Sequence, residues 1–125
     1  MWYAKSMSSI GSPQPELEEM LRQVDRLELL EQRVVQVLSW ADLCHRYGIG
    51  SVDVVQLDCE GMDCGILRGM LKHYDESGDG LPRLICFEAN HLTPDAEIND
   101  TLQSLKQHGY SVCWRSYSNI IVERA

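Results

Sequence analysis

The segment Val52-Asp53-Val54-Val55-Gln56-Leu57-Asp58-Cys59-Glu60-Gly61-Met62-Asp63 constrains the fold more than any other part of the chain. Its Val, Val and Leu predict a strand, Val52 to Asp58, covered on both faces. Asp58 and Glu60 stand where the apolar run stops, and Gly61 lets the backbone turn into the next element. A second run, Leu84-Ile85-Cys86-Phe87-Glu88, is again apolar and again ends in a carboxylate. In open α/β sheets, ligands bind beyond the carboxyl ends of the strands. The chain thus places acids where such a fold does its chemistry.

The flanking patterns predict the remaining elements. Met1 to Pro15 contains Ser, Gly and Pro and reads as a loop or loose terminus, leaving residues 16–125 as one α/β domain. Leu17, Met20, Leu21, Val24, Leu27 and Leu30 form one stripe, which predicts a helix from Glu16 to Glu31. Val34 to Leu38 reads as a short strand. Ser39 can cap a helix over Trp40 to Tyr47, and Gly48 can end it. A further helix runs from about Met62 to Tyr74, with Ile66, Leu67, Met70 and Leu71 inward. Gly65 and Gly69 lie four apart on it and suggest close approach of a neighbouring backbone. Thr93 as N-cap and Pro94 at the first position open another helix, which Gly109 stops. Tyr110 to Ser116 and Asn119 to Glu123 read as a hairpin. Strands alternating with helices imply a mostly parallel sheet with right-handed crossovers, finished by that antiparallel hairpin.

Composition narrows the function. The 125 residues carry a net charge of -8, which disfavours nucleic acid and anionic membrane surfaces as partners. No apolar run approaches a membrane span and no secretory signal is apparent, so a soluble, cytoplasmic protein is expected. Cys44, Cys59, Cys64, Cys86 and Cys113 read as plain thiols of a reducing compartment. Cys59 and Cys64 have no second pair at zinc-like spacing, and no metal centre is assigned.

Neighbouring strands lie roughly 4.8 Å apart, so Asp58 and Glu88 would end at one rim. Crowded carboxylates raise one another's pKa, which suits general-base work near neutrality. Glu60 can join them, as can Asn90 and His91 just past Glu88. Structural roles compete with this reading. Glu60 or Asp63 can satisfy amides at the start of the following helix. His91 can be an ordinary loop residue, and Asp42 and Asp53 look structural.

The segment Val52–Asp63 resembles the "I-D-L-L-(K/Q)-I-D-x-E-G-x-(D/E)" stretch of FkbM-type methyltransferases. Leu38-Ser39-Trp40-Ala41-Asp42-Leu43-Cys44 resembles the "L-x-x-L-C" helix start that precedes it. Leu81-Pro82-Arg83-Leu84-Ile85-Cys86-Phe87-Glu88 is similar to the family's "P-x-L-I-x-(F/Y)-E" strand. His91-Leu92-Thr93 is similar to its "H-L-(S/T)" continuation. Leu105-Lys106-Gln107-His108-Gly109-Tyr110 resembles its "L-x-x-x-G-Y" helix end. These motifs succeed one another in order from about Val34 to Glu123.

The resemblance implies a Rossmann-like fold, S-adenosylmethionine as cofactor, and methyl transfer to an oxygen of a sugar or small metabolite. It places Asp58, Glu60 and Glu88 in the catalytic role, and Asn90 and His91, which follow Glu88, are expected beside the substrate. The family's N-terminal strand and Gly-rich cofactor loop find no counterpart, since Gly48-Ile49-Gly50 does not open a helix. The expectation is a partial Rossmann-like methyltransferase fold covering the C-terminal half, with cofactor-binding residues unassigned. A missing N-terminal half or a homo-oligomer partner would complete it. The alternatives are a non-catalytic binding or scaffold module docking through the Leu17-to-Leu30 stripe, and a metal-dependent hydrolase using the same three acids with Mg²⁺ or Mn²⁺.

Overall fold

The computed structural model describes residues 2–4, 11–12, 16–32 and 34–125. The elements in chain order are β1 (Trp2–Ala4), β2 (Gly11–Ser12), α1 (Glu16–Gln23), a 3-10 turn (Leu27–Leu29), β3 (Leu30–Gln32), α2 (Trp40–Tyr47), β4 (Val54–Gln56), α3 (Asp63–Ser77), β5 (Leu84–Glu88), α4 (Asp95–Gln107), β6 (Tyr110–Arg115) and β7 (Asn119–Arg124). They form two sheets, a small antiparallel one in the order β2-β1-β3 and a larger one in the order β4-β5-β7-β6.

The larger sheet is mixed rather than mostly parallel. β4 and β5 pair in parallel, Val55 opposite Ile85. β7 then inserts between β5 and β6, and both of its ladders are antiparallel. The expected hairpin is present, and its return strand docks on β5, which converts the sheet. One face of the sheet meets α3 and α4. Ile85, Phe87, Ile120 and Val122 point to that side and are buried against Leu67, Met70, Ile98 and Leu105. The period-2 alternation of β5 and β7 and the 3.6-residue stripe of α3 meet in this one core.

β4 is shorter than the expected Val52–Asp58 strand and is not covered on both faces. Val55 is 5% exposed, but Val54 is 51% exposed. β4 pairs with a single neighbour, and Val54 points away from the face where Val55 joins the core. An apolar run therefore records strand propensity here, not double coverage.

Four further expectations change. The stripe from Glu16 to Glu31 does not make one helix. α1 ends at Gln23, because Asp25 takes the left-handed conformation, φ 52°. Arg26 N–H then donates to the Leu21 carbonyl at 2.8 Å and Asp25 N–H to that of Arg22 at 3.2 Å. This is a Schellman closure with Asp in the position usually held by Gly. Val34–Leu38 is not a strand, and Val34 and Val37 are exposed. In the N-terminal stretch read as a loop, Trp2–Ala4 pairs with both Gly11–Ser12 and Leu30–Gln32; residues 1, 5–10 and 13–15 lie outside the described residues, as does the side chain of Leu17. Gly65 and Gly69 meet no neighbouring backbone: a Cβ on Gly69 would find no atom within 4 Å, and one on Gly65 only the tip of Arg68 at 3.9 Å. They instead line an apolar cavity of about 470 Å³ with Leu38, Trp40, Leu57 and Met62.

The capping signals of α2 hold. Ser39 Oγ accepts from Asp42 N–H at 3.1 Å while Asp42 Oδ2 accepts from Ser39 N–H at 3.3 Å, a complete capping box. Gly48, φ 61°, closes the helix. At α4 the cap falls on Pro94 and not on Thr93, whose side chain makes no capping bond.

Phe87 has no exposed surface and lies at the centre of the sheet–helix core. Phe87→Ala is expected to lower unfolding stability by about 3–5 kcal/mol, read from the urea midpoint at unchanged slope.

Candidate functional site

The carboxyl ends of β4 and β5 share one rim because the strands are parallel and adjacent. After Gln56 the chain continues through Leu57, whose N–H donates to the Cys86 carbonyl at 2.8 Å, and then turns at Glu60 and Gly61. Both turn residues have positive φ, 48° and 91°. Gly accepts this conformation readily; Glu does so rarely, so Glu60 is held there by its surroundings. The turn aims Glu60 at the rim. One carboxylate oxygen from each of Asp58, Glu60 and Glu88 lies within 4.8 Å of the others. The three expected acids therefore converge.

Asp63 holds this arrangement and itself faces inward. It is completely buried in the first turn of α3. Its Oδ2 accepts from Cys59 N–H at 3.1 Å and its Oδ1 from Glu88 N–H at 3.0 Å. One side chain thus ties the loop after β4 to the end of β5. The sequence offered Asp63 as a cap for its own helix. Its bond to Glu88 depends on a contact 25 residues away.

The electrostatics reflect crowding and burial. The Glu88 carboxyl is pushed up, first by burial and then by Glu60, with Asn90 opposing. Its Oε2 is buried without a hydrogen-bond partner. Glu60 is pushed up by burial, then by Asp58 and Asp63, and pulled back by His91. Asp63 is pushed up by burial despite its two backbone bonds. Such groups hold a proton more readily than free carboxylates, which suits proton transfer. The same oxygen-only cluster has the donor chemistry that hard divalent cations prefer.

Asn90 and His91 come directly after this rim. Asn90 Oδ1 accepts from Leu92 N–H at 2.8 Å, so part of its side chain shapes the loop. His91 is exposed. Both line a cavity of about 450 Å³ between the rim, the start of α4 and the β6–β7 turn. Thr93, Arg115 and Tyr117 line it too, and sequence reasoning did not select them. No motif marks Arg115 or Tyr117, and Thr93 entered only as a helix cap and as the end of the H-L-(S/T) stretch; the hairpin brings Arg115 and Tyr117 to this rim, and Ala89 N–H secures the turn by donating to the Ser118 carbonyl at 2.7 Å.

No glycine-rich turn from a strand into a helix occurs among the described residues. Gly48 and Gly50 come after α2 and precede β4. The described residues supply an acidic rim and a polar cavity. The five cysteines are unpaired, with Cys44 and Cys64 buried and Cys113 exposed. Among the described residues no helix is long and apolar enough to cross a membrane.

A mixed α/β layer with acids at the carboxyl rim is compatible with a methyltransferase-like fold. The sequence matches the Methyltransferase FkbM domain over residues 3–112, and the chain belongs to that family. The match begins at residue 3 and so takes in the N-terminal residues that the motifs leave out. No curated protein and no solved structure matches the chain.

Burial and mutual repulsion at the rim oppose folding when the acids are ionised. Raised folded-state pKa values mean the folded chain binds protons more tightly than the unfolded one. This contribution to stability is present below the ordinary carboxylate pKa and is lost as pH rises through the folded values. Glu88→Gln is therefore expected to raise the thermal midpoint at neutral pH and to flatten its dependence on pH from 4.5 upward, relative to the unsubstituted chain. Scanning calorimetry over a pH series checks both.

Proposed function

We propose that the chain forms the acceptor side of an S-adenosylmethionine-dependent O-methyltransferase acting on a small hydroxylated metabolite or sugar. The observation that carries this reading is the convergence of Asp58, Glu60 and Glu88 within 4.8 Å at the rim of a chain of this family. The cofactor, when bound, supplies an electrophilic methyl group. Glu88 takes the proton of the acceptor hydroxyl; its elevated affinity for protons and its unpartnered Oε2 support that role. Glu60 and Asp58 hold the hydroxyl in place, and Asn90 and His91 contact the rest of the acceptor. Positioning and proton removal carry the rate.

In this reading the free edge of β4 continues into further strands of a Rossmann-like sheet that carry the nucleotide cradle. Those strands belong to an N-terminal half, in the same or another polypeptide, and a second copy of the chain is the other way to cover the edge. The single described partner of β4 and the apolar cavity lined by Trp40 and Leu57, just past the end of that strand, support a covered edge. The free thiols agree with a cytoplasmic setting.

Titration calorimetry with S-adenosylmethionine tests the reading. Heat is expected when the chain is mixed with the N-terminal half of an FkbM-family enzyme. Silence both alone and in the mixture would leave a non-catalytic module as the correct reading. In a reconstituted enzyme, Glu88→Gln is expected to reduce methyl transfer by about 10²–10⁴-fold, measured as kcat.

A further inference from the structure

The cavity beyond the acidic rim has a chemistry that the three carboxylates do not explain. It is lined by Asn90, His91, Thr93, Asp95, Arg115 and Tyr117, with Ile98 beneath. Arg115 is its only guanidinium, and among the described residues it makes no ion pair. Arg83, by contrast, is paired to Glu123, and Arg68 to Glu97. An unpaired guanidinium in a concave site on a chain of net charge -8 is a localised anion receptor.

Two observations place Arg115 within reach of the rim. Its register partner is Ile120 on β7, and the partner of Ile120 on β5 is Phe87, the residue before Glu88. Arg115 therefore lies two strands from the strand that carries Glu88, roughly 10 Å across the sheet. Its position opposite Ile120 puts it on the face where α4 begins. There Thr93 is 3% exposed and its Oγ1 has no hydrogen-bond partner. A buried polar atom without a partner is rare in a finished site. The start of α4 adds the positive end of a 13-residue helix beside the cavity; of the two acids in its first turn, Asp95 lines the cavity and Glu97 is paired to Arg68.

We propose that this cavity binds the anionic group, phosphate or carboxylate, of a hydroxylated acceptor, with Arg115 as the specificity-determining residue. The hydroxyl to be methylated lies at Asp58, Glu60 and Glu88, and the anionic end lies at Arg115, in the cavity that Tyr117 also lines. The role of the anionic group as part of a methyl acceptor rests on the function proposed above; anion binding at Arg115 stands without it. The separation of charge sets selectivity. Acids at one end repel an anion bound the wrong way round, while the guanidinium holds it at the other.

Nitrogen-15 NMR titration of the whole chain tests this with D-glucose 6-phosphate, D-gluconate and D-glucose as probes. At least one of the two anionic sugars is expected to shift the amides of Arg115, Tyr117 and His91, and neutral glucose is not. The arm that binds more tightly tells phosphate from carboxylate. Arg115→Gln is expected to weaken the anionic probe by about tenfold or more while leaving the rest of the spectrum unchanged. Arg115 is exposed, so folding is not at stake. Glucose binding as well as its charged relatives, an unchanged affinity in Arg115→Gln, or no shift with either anion would overturn the proposal. Heat with S-adenosylmethionine but no anion effect removes this inference alone. Anion binding at Arg115 without any cofactor heat removes the methyltransferase reading alone.

Discussion

Asp63 accepts the backbone N–H groups of Cys59 and Glu88 from a fully buried position in the first turn of α3. The three functional candidates depend on that clasp. Asp58 directly precedes one anchored amide, Glu60 comes just after it, and Glu88 carries the other. Removing a carboxylate from water is unfavourable, and here burial outweighs the two bonds and pushes the Asp63 carboxyl up. The fold tolerates the expense because alternative partners for those amides are few at a strand end. A side chain that ties the loop after β4 to the end of β5, 25 residues away in sequence, holds the rim as one unit and not three independent acids.

Rigidity there rests on the layer beneath. Ile85 and Phe87 on β5 and Ile120 and Val122 on β7 lie against α3 and α4 with almost no exposed surface. The inserted strand β7 is what brings the hairpin turn to the carboxyl end of β5, where the Ser118 carbonyl accepts from Ala89. Topology thus adds Arg115 and Tyr117 to a site whose acids come from the parallel pair. The opposite face is a different surface. Val54 and Trp114 stand half exposed on it, in contrast to the dense side.

Much of this was legible in local chemistry. Ser39, Asp42 and Gly48 announced α2, since a capping box and a left-handed closure involve neighbours a few residues apart. β5 was bounded correctly because its apolar run starts just after Pro82 and stops at Glu88. The stripe from Leu17 to Leu30 misled because periodicity is blind to one backbone event: Asp25 turned left-handed and the helix stopped. Val34–Leu38 misled for the reverse reason. Its residues suit a strand, but a strand needs a neighbour to pair with, and none of the described strands pairs with it.

The sequence by itself determined which segments are apolar, where α2 starts and stops, and which acids lie at or just past the ends of the two strands, because each of these depends on residues close in the chain. It also carried enough ordered motif to indicate the FkbM family. Only the tertiary structure decided that β7 lies between β5 and β6, that Asp63 reaches Glu88, and that Arg115 and Thr93 line the same cavity as His91. Those juxtapositions arise from strand order and from packing between distant segments, and neither composition nor local spacing encodes them.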